Sequence, residues 1–404
     1  MVLPALVSTK EARSVYEPGR RPILSLMNES RKTSEVVVIG AGAIGMAVAR
    51  RLLKRGADVT TFDRQRPGSS ATSAAGGMLA PLGESPEAGP FLEAGWRSLQ
   101  AYPALAEELR EETGIDVCLR HTGKLIAAFD ETGVSDLEGR EWWQSQAGYT
   151  VELIDGEEVR RLEPGVEKSV LCALHTPTDS HVDNRLLGVA LAKAVTRAGG
   201  TLRADHSVES VLVEGDRVVG VRDHEGAVTA CETVVVAAGA WSGTLGGLPR
   251  PLPVRPVRGQ MIRLRLGSVP PTRLLSGPGV YLIPLGGART GEILIGASQE
   301  EADFEIQTDP DTLARLREAA GRFFPNTLGG EVIETWAGLR PGTPDGLPIM
   351  GPDPEIRGLH YATGHFRNGI LLTPITATAL ESSVLDGGLP PELETFAPQR
   401  FLVL

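Results

Sequence analysis

EVVVIGAGAIGMAVARRLLKRGADVTTFDR (Glu35–Arg64) begins with a short apolar run, from Val36 to Ile39. Such uninterrupted runs are typical of strands that are buried on both faces of a parallel sheet. A glycine-rich turn follows, and then an apolar helical pattern that ends at Gly56, a residue type suited to a helix C-terminus. A second strand, DVTTFD, ends at Asp63. The stretch therefore predicts a strand–turn–helix–strand unit.

The turn has the spacing G-x-G-x-x-G, at Gly40, Gly42 and Gly45. The first glycine makes the tight turn, the second lets the backbone approach a pyrophosphate, and the third lets the helix pack closely on the strand. The N-terminus of the helix stabilises phosphate charge, and Asp63 is placed to accept hydrogen bonds from a ribose. These features predict a bound dinucleotide, but they do not distinguish a nicotinamide from a flavin.

Other segments extend this strand–turn–helix–strand unit, and a further group of segments predicts a second sheet. GSSATSAAGGMLAP (68–81) is a run of small residues that suits a backbone lying close to a flat ligand. TVVVAAGAWS (233–242) is a buried strand that ends at Gly239, and LHYATGHFRNGILL leads into a predicted helix over Thr373–Leu385. Between these blocks TGKLIAAFD, VRGQMIRLRL, VYLIPLGG and GEILIGAS are strand-like, and the last two predict a hairpin.

The predicted fold class is α/β, with a Rossmann-like domain built on a parallel sheet and an inserted, mostly antiparallel-sheet substrate domain. The predicted Rossmann-like domain is discontinuous and comprises 35–115, 172–254 and 335–385. The substrate domain comprises 116–171 and 255–334, while 1–34 is expected to be a disordered extension and 386–404 a C-terminal tail. WAGLRPGTPDGLPIMG (Trp336–Gly351) contains so many prolines and glycines that we expect an ordered loop there, carrying Arg340.

Composition narrows the possible partners and the compartment. The 404 residues carry a net charge of −11, which disfavours nucleic acid and anionic membranes as partners. The 3 cysteines are widely spaced and form no CxxC pair, so a reducing compartment is expected and a thiolate metal site is not. The histidines lack the spacing of metal ligands, and no apolar run is long enough to span a membrane. We expect a cytoplasmic protein without a metal.

The motifs VVVIGAGAIG, SAAGGML, DSHVDNRLL, VVVAAGAW, WAGLRPGTPDGLPIMG and GHFRNGILL occur in this order over nearly the whole chain. Together they resemble the D-amino-acid-oxidase-like flavoenzymes, and in particular the glycine oxidases of thiamine biosynthesis. The resemblance implies noncovalent FAD, a small amino-acid substrate, O2 as the electron acceptor and a homo-oligomer, a tetramer.

The resemblance also implies roles for individual residues. Arg340 would hold the substrate carboxylate, since its guanidinium binds a carboxylate through two parallel hydrogen bonds. Tyr281 would add a hydroxyl donor, and Arg367, Gln299 and Met78 would also contact the substrate. Gln299 stands where a methionine is expected, and Gly279 where some glycine oxidases have a histidine, so the identity of the substrate stays open. With the fingerprint residues, the implied cofactor-binding set is Gly40, Gly42, Ala43, Ile44, Gly45, Asp63, Arg64, Ala71, Thr72, Gly76, Gly77, Met78, Val208, Gly239, His365, Phe366, Arg367, Asn368, Gly369, Ile370 and Leu371.

The implied reaction is oxidative deamination of glycine or a similar small amino acid. Hydride passes from Cα to flavin N5, the imine hydrolyses to an oxo acid and ammonia, and O2 is reduced to H2O2. No protein residue is identified as a catalytic base, because the flavin performs the chemistry and the protein binds and orients the substrate. The alternatives are a D-amino-acid dehydrogenase, a sarcosine-type N-methyl amine oxidase, and the glycine-oxidising subunit of a cyanide-forming dehydrogenase. A nicotinamide-dependent dehydrogenase and a flavin-stabilised binding protein also stay open.

Overall fold

The computed structural model describes residues 35–401. Within this range the strands form a six-stranded sheet, a nine-stranded sheet, a three-stranded sheet and a two-stranded pair. The extension expected at residues 1–34 lies outside the described residues, as do the last three residues of the expected tail. In the described part of the chain, no helix combines the length and the apolar character needed to cross a membrane.

The strands are β1 (Val36–Ile39), β2 (Val59–Phe62), β3 (Met78–Leu79), β4 (Lys124–Ala128), β5 (Glu152–Asp155), β6 (Cys172–Thr176), β7 (Ser180–His181), β8 (Thr201–Arg203), β9 (Val208–Glu214), β10 (Arg217–Asp223), β11 (Val228–Ala230), β12 (Thr233–Val236), β13 (Arg255–Arg265), β14 (Leu274–Gly277), β15 (Val280–Pro284), β16 (Glu292–Gly296), β17 (Glu300–Glu301), β18 (Glu331–Gly342), β19 (Ile349–Pro352) and β20 (Leu359–Thr363). The α-helices are α1 (Ala43–Lys54), α2 (Ala71–Ala74), α3 (Pro81–Glu84), α4 (Pro90–Thr113), α5 (Glu131–Gln146), α6 (Gly156–Leu162), α7 (Asn184–Arg197), α8 (Pro310–Phe323) and α9 (Thr373–Leu385).

The six-stranded sheet, called the parallel sheet below, has the order β19–β20–β12–β1–β2–β8. Strand β1 lies near its centre and pairs in parallel with β2 on one side and β12 on the other. Only β19 runs antiparallel to its neighbour, β20. Three widely separated blocks of sequence thus build one sheet, which confirms the predicted Rossmann-like fold.

Both faces of the parallel sheet are covered, which explains why its strands read as uninterrupted apolar runs. Val36 and Val38 belong to the core formed with the helices α1, α4, α7 and α9. Val37 and Ile39 point to the opposite face, where the antiparallel sheet β11–β10–β9 packs. Since neighbouring residues of a strand face opposite sides, each of these four side chains is buried in one core or the other.

The nine-stranded sheet, called the large sheet below, has the order β17–β13–β16–β15–β14–β4–β6–β5, with β18 paired to β13. Its neighbouring strands are antiparallel except for β4 and β14. The hairpin predicted from VYLIPLGGARTGEILIGAS is confirmed as β15 and β16. Helix α8 covers this sheet with Leu316 and Phe323 in a second hydrophobic core.

The prediction of a loop over Trp336–Gly351 is wrong for its first half. Trp336–Gly342 continues strand β18, and Pro341 pairs with Pro256 on β13. In the described sheets β18 pairs with β13 alone, so it is an edge strand. Proline is tolerated in such a strand because its nitrogen, which carries no hydrogen to donate, can face away from the neighbouring strand. An irregular segment then leads from Thr343 to β19.

Strand pairing also departs from the predicted domain ranges at two places. β6 was assigned to the Rossmann-like block 172–254, but it pairs with β4 and β5 in the large sheet. The beginning of the block 335–385 likewise lies in β18 of the large sheet. Both segments are apolar strands next to a domain crossover, and their sequence does not indicate which sheet they join.

Gly45 provides a test of the close contact between α1 and β1. A Cβ atom at this position would lie 1.9 Å from the carbonyl oxygen of Gly40. We expect Gly45→Ala to lower the free energy of unfolding by about 1–3 kcal/mol, the usual cost of forcing an extra carbon into a packed site. Denaturant titration measures this change.

Gly139→Ala in α5 is the matched control, since a Cβ there meets no atom within 4 Å. We expect it to stabilise the protein by up to about 1 kcal/mol through helix propensity. Equal effects of the two substitutions would contradict a steric role for Gly45.

Candidate active site

The turn between β1 and α1 is stabilised by side chains from two other segments. The amide of Ala41 donates to Asp63 Oδ2 at 2.7 Å, and the amide of Ala43 donates to Thr72 Oγ1 at 2.8 Å. Gly40 has a φ of +109°, a conformation that favours glycine. The turn therefore presents the N-terminus of α1, with its partial positive charge, to the space in front of the sheet.

A cavity of about 700 Å³ opens at this point and is lined by both large elements of the fold. Ala237 and Thr363 contribute from the ends of parallel-sheet strands, whereas Met261, Tyr281 and Arg340 contribute from the large sheet. Segment 71–78 passes between them, and a Cβ at Gly76 would lie only 2.5 Å from Ile283 Cδ1. The small residues of this segment therefore let the backbone run close to the large sheet.

Most of the residues predicted for cofactor and substrate line this cavity. They are Gly42, Ala43, Ile44, Ala71, Thr72, Gly76, Gly77, Met78, Gly239, Tyr281, Gln299, Arg340, His365, Phe366, Arg367, Asn368, Gly369 and Ile370. The remaining predicted residues, which are not among the lining residues, are Gly40, Gly45, Asp63, Arg64, Val208 and Leu371.

The residues outside the lining have other positions. Gly40 and Gly45 pack against backbone, and the carboxylate of Asp63 accepts from the amides of Ala41 and Gln65. Arg64 lies over the ring of Trp241 at 4.3 Å, and Leu371 is buried in the helical core. Val208 is the first residue of β9, beside the parallel sheet.

Arg340 and Tyr281 lie together on the large-sheet side of the cavity. Nη1 of Arg340 donates to the carbonyl of Ser298 at 3.0 Å and to that of Arg258 at 3.3 Å. Within residues 35–401 this guanidinium forms no ion pair with a carboxylate. Burial lowers the pKa of Arg340, opposed by the neighbouring Tyr281, and burial raises the pKa of Tyr281. A half-buried cation that forms no direct ion pair is suited to an anionic ligand.

A family model described as FAD dependent oxidoreductase (DAO) matches residues 35–382. The chain belongs to the FAD-dependent oxidoreductase family. It is 36% identical over 346 residues to the glycine oxidase of Geobacillus kaustophilus, covering 85% of this chain and 90% of that protein. The crystal structure of glycine oxidase from Geobacillus kaustophilus superimposes with a TM-score of 0.87 at 32% identity, covering 92% of this chain and 99% of that one.

Two other relatives have names other than glycine oxidase, and one of them is much longer than this chain. The bifunctional protein ThiO/ThiG of Synechocystis is 35% identical over 378 residues, which are 92% of this chain but 54% of that protein. The chain thus spans about half the length of this relative. The hydrogen cyanide synthase subunit HcnC of Pseudomonas aeruginosa is 33% identical over 415 residues, covering 92% of this chain and 97% of that protein.

The cavity of this flavoenzyme fits the FAD that its family binds. A Cβ at Gly239 would meet no protein atom within 4 Å, and one at Gly42 would meet only Thr72 Oγ1, at 3.5 Å. These backbone surfaces face open space of the kind that a flat ligand and a pyrophosphate occupy. The N-terminus of α1 adjoins the same space, where it would stabilise the pyrophosphate.

Two charged residues that sequence reasoning missed also line the cavity. Glu84 ends α3; one carboxylate oxygen accepts from Lys124 Nζ at 3.1 Å, and the other forms an ion pair with Arg367 Nη2 at 3.0 Å. Burial opposes ionisation of Glu84, but Lys124 and Arg367 outweigh it, so the pKa of Glu84 is lowered. Lys124 is only 1% exposed. In the sequence, the available sign of Lys124 was a charged residue at the start of the otherwise apolar strand KLIAA.

Asp179 lies behind this ion chain and outside the cavity lining. Its Oδ2 atom accepts from Thr176 Oγ1 at 2.7 Å and from the amide of Gly83 at 3.1 Å, while Oδ1 has no partner among the described residues. Burial raises the pKa of Asp179 to about 6, although the charge of Lys124 opposes that shift. The carboxylate is therefore held in the fold at an energetic cost once it is ionised.

Asp179→Asn tests this cost through its pH dependence. The raised pKa means that the folded protein keeps this proton over a range where the unfolded chain has lost it, so the wild type loses stability as pH rises from about 4 to 6. Asparagine does not titrate, and we expect the Tm of the variant minus that of the wild type to be more positive at about pH 8 than at about pH 5.

Thermal unfolding followed by circular dichroism at both pH values measures the difference. The same measurements on Asp386→Asn, beyond the end of α9 and outside the cavity lining, are the control for removal of a carboxylate. A difference for Asp179→Asn that is independent of pH would contradict the raised pKa.

Proposed function

We propose that this enzyme oxidises glycine, or a similarly small amino acid, to an imine that hydrolyses to the oxo acid and ammonia. The observation that carries the proposal is the guanidinium of Arg340, half-buried at the cavity wall beside Tyr281 and without an ion-pair partner in the described chain. A substrate carboxylate would supply the missing charge. Glycine oxidases at 36% and 34% identity to this chain support the choice of glycine.

Positioning is the main contribution of the protein in this proposal. The planar fork of Arg340 would bind the α-carboxylate, and the hydroxyl of Tyr281 would donate to the same group, so that the Cα–H bond is fixed in one direction. When bound, FAD supplies the two-electron acceptor for the oxidation. Met78, Gln299 and Arg367 also line the cavity and would limit the size of the substrate.

The cavity offers the substrate amine no strong general base. Both oxygens of Glu84 are paired with cations, and its lowered pKa makes it a weak base. His365 accepts or donates at Thr376 through Nε2, and burial lowers its pKa to about 3. We therefore propose that the amine loses its proton to water before it is oxidised.

We further propose that O2 reoxidises the enzyme to give H2O2, and that the imine from glycine serves synthesis of the thiamine thiazole. Similarity to bifunctional ThiO/ThiG over 92% of the chain supports this role. The second candidate is the glycine-oxidising subunit of a cyanide-forming dehydrogenase, favoured by similarity to 97% of the length of HcnC. Such a subunit would pass electrons to an acceptor other than O2.

An anaerobic flavin-bleaching screen tests the proposal. Glycine, sarcosine, D-alanine and D-proline are each added to the purified holoenzyme, and we expect glycine to bleach the flavin absorbance. Readmitted air should restore the colour with formation of H2O2. Bleaching that is reversed only by an artificial dye would favour the second candidate, and absence of bleaching by every amine would overturn amino-acid oxidation.

Arg340→Ala tests the carboxylate anchor. Removal of one partner of a buried charge pair costs about 2–5 kcal/mol, so we expect kcat/KM for glycine to fall roughly 30- to 5000-fold while FAD stays bound. Arg340→Lys should also lose most activity, since the ammonium cannot form two parallel hydrogen bonds. Arg265→Ala, at the exposed end of β13, is the control. Unchanged kinetics in Arg340→Ala would falsify the anchor role.

Gly259→Ala tests the position of the same guanidinium without changing its charge. A Cβ at Gly259 would lie 2.2 Å from Arg340 Nη2, so the side chain must move. We expect KM for glycine to rise, with a smaller loss of kcat/KM than in Arg340→Ala. Steady-state kinetics over a range of glycine concentrations measure both quantities, and a KM equal to that of the wild type would contradict the geometry.

A further inference from the structure

The cavity continues past Tyr281 toward the strand that carries Lys124. In the large sheet, Ser276 of β14 pairs with Tyr281 of β15, and Leu274 of β14 pairs with Lys124 of β4. Two strand spacings of about 4.8 Å therefore separate the strand of Tyr281 from that of Lys124. Both residues line the cavity, so the cavity extends beyond the proposed carboxylate anchor.

We call this extension the outer subsite and define it by Gly83, Glu84, Lys124, Ser276 and Gly279, which all line the cavity. Its walls leave room for a ligand. A Cβ at Gly279 would meet no atom within 4 Å. The hydroxyl of Ser276 has no hydrogen-bond partner among residues 35–401, so it is available to one.

The path of Lys124 into the outer subsite depends on a missing side chain. A Cβ at Gly83 would lie 2.7 Å from Lys124 Cδ and 2.8 Å from its Nζ. Glycine at this position thus leaves space for the Lys124 side chain, which is almost wholly buried and belongs to the residues that line the cavity. A buried lysine is costly, and this one has a single hydrogen-bond partner, Glu84 Oε1.

Among the charged side chains that line the cavity, cations outnumber anions by two. The charged lining residues are Glu84, Lys124, Arg340 and Arg367. Because one carboxylate, that of Glu84, is shared by two cations, the Arg367–Glu84–Lys124 chain carries a net positive charge. Arg340 carries another. Behind the lining, Asp179 is accompanied by a further cation, the half-buried Arg140, which donates to the carbonyls of Leu82 and Gly83.

We propose that the outer subsite binds a second carboxylate of the substrate, through Lys124 and the hydroxyl of Ser276. The substrate class would then be small amino acids with an additional carboxylate, on the side chain or on the nitrogen. This inference rests on the proposed function only in that Arg340 holds the first carboxylate. Charge-assisted hydrogen bonds from an ammonium are among the stronger contacts available to a carboxylate.

Binding of diacids that cannot be oxidised tests the subsite without turnover. Glutarate, adipate and pimelate carry no amine, and each is compared with its own monoamide, which has nearly the same shape and one charge less. Isothermal titration of the holoenzyme gives the dissociation constants. We expect one of the diacids to bind about tenfold or more tightly than its monoamide, the range for a hydrogen bond to a charged group.

Two substitutions should move this preference in opposite directions. Lys124→Met removes the ammonium at similar volume, so the diacid and its monoamide should bind about equally. Glu84→Gln leaves the two cations without their shared carboxylate, so the preference for the diacid should increase. Lys193→Met, which removes an amine that donates to the carbonyl of Thr113 outside the cavity, is the control. A structural defect alone would weaken both ligands and leave their ratio unchanged.

The outcomes separate this inference from the proposed reaction. A preference that is the same in the wild type and in Lys124→Met, or absent at all three lengths, would overturn the outer subsite. If Lys124→Met loses FAD while the ratio of diacid to monoamide affinity stays unchanged, the charge of Lys124 serves the cofactor, and the outer subsite is again overturned. Failure of every amine to bleach the flavin would overturn the reaction, whereas the diacid ratio would still report on the subsite.

Discussion

The close contact of backbone with backbone at the end of β1 is the constraint on which the rest of the site depends. Gly40 lies against the carbonyl of Ala237, and Gly45 lies against the carbonyl of Gly40, at distances that leave no space for a side chain. This contact holds α1 directly against the two central strands, so the N-terminus of the helix and the ends of β1 and β12 meet at one place. The cavity begins there, and the pyrophosphate of a bound FAD would meet amides and a helix terminus rather than side chains. Larger residues at either glycine would separate the helix from the sheet and displace the phosphate end of the site.

The opposite wall of the site has a different construction. It is formed by one face of the large sheet, where Arg340, Tyr281 and Lys124 come from strands far apart in sequence but close in the sheet. A sheet holds such side chains at intervals set by strand spacing, so their separation changes little as ligands enter and leave. In the proposed arrangement the pyrophosphate would therefore meet backbone groups at one end of the cavity, and the substrate would meet side chains at the other. Changes of substrate can therefore be made by substitution on the large sheet while the FAD-binding end is left intact.

Local patterns in the sequence were sufficient for much of this arrangement. The apolar run of β1, the glycine spacing after it and the helix over Thr373–Leu385 were predicted because each is determined by residues close in sequence. Trp336–Gly342 was predicted wrongly, because proline is compatible with a strand when that strand lies at an edge, and edge position is a property of the whole sheet. Glu84 and Lys124 were missed because their place in the cavity depends on a contact between two residues that lie 40 positions apart in the sequence. Which of several charged residues lie at the cavity depends on strand order, which no local pattern specifies.

The order of strands in the parallel sheet has a consequence for synthesis of the chain. β1 pairs early with β2, but its other neighbour, β12, is made only after the strands β3–β11, and β20 follows later still. A nascent chain therefore presents one edge of β1 to solvent while nearly half of the protein is being translated. Unpaired apolar strand edges invite association with other chains. Aggregation must therefore be avoided while the chain is still bound to the ribosome. A helix such as α1, which forms from residues close in sequence and covers one face of β1, reduces the apolar surface that is exposed during that interval.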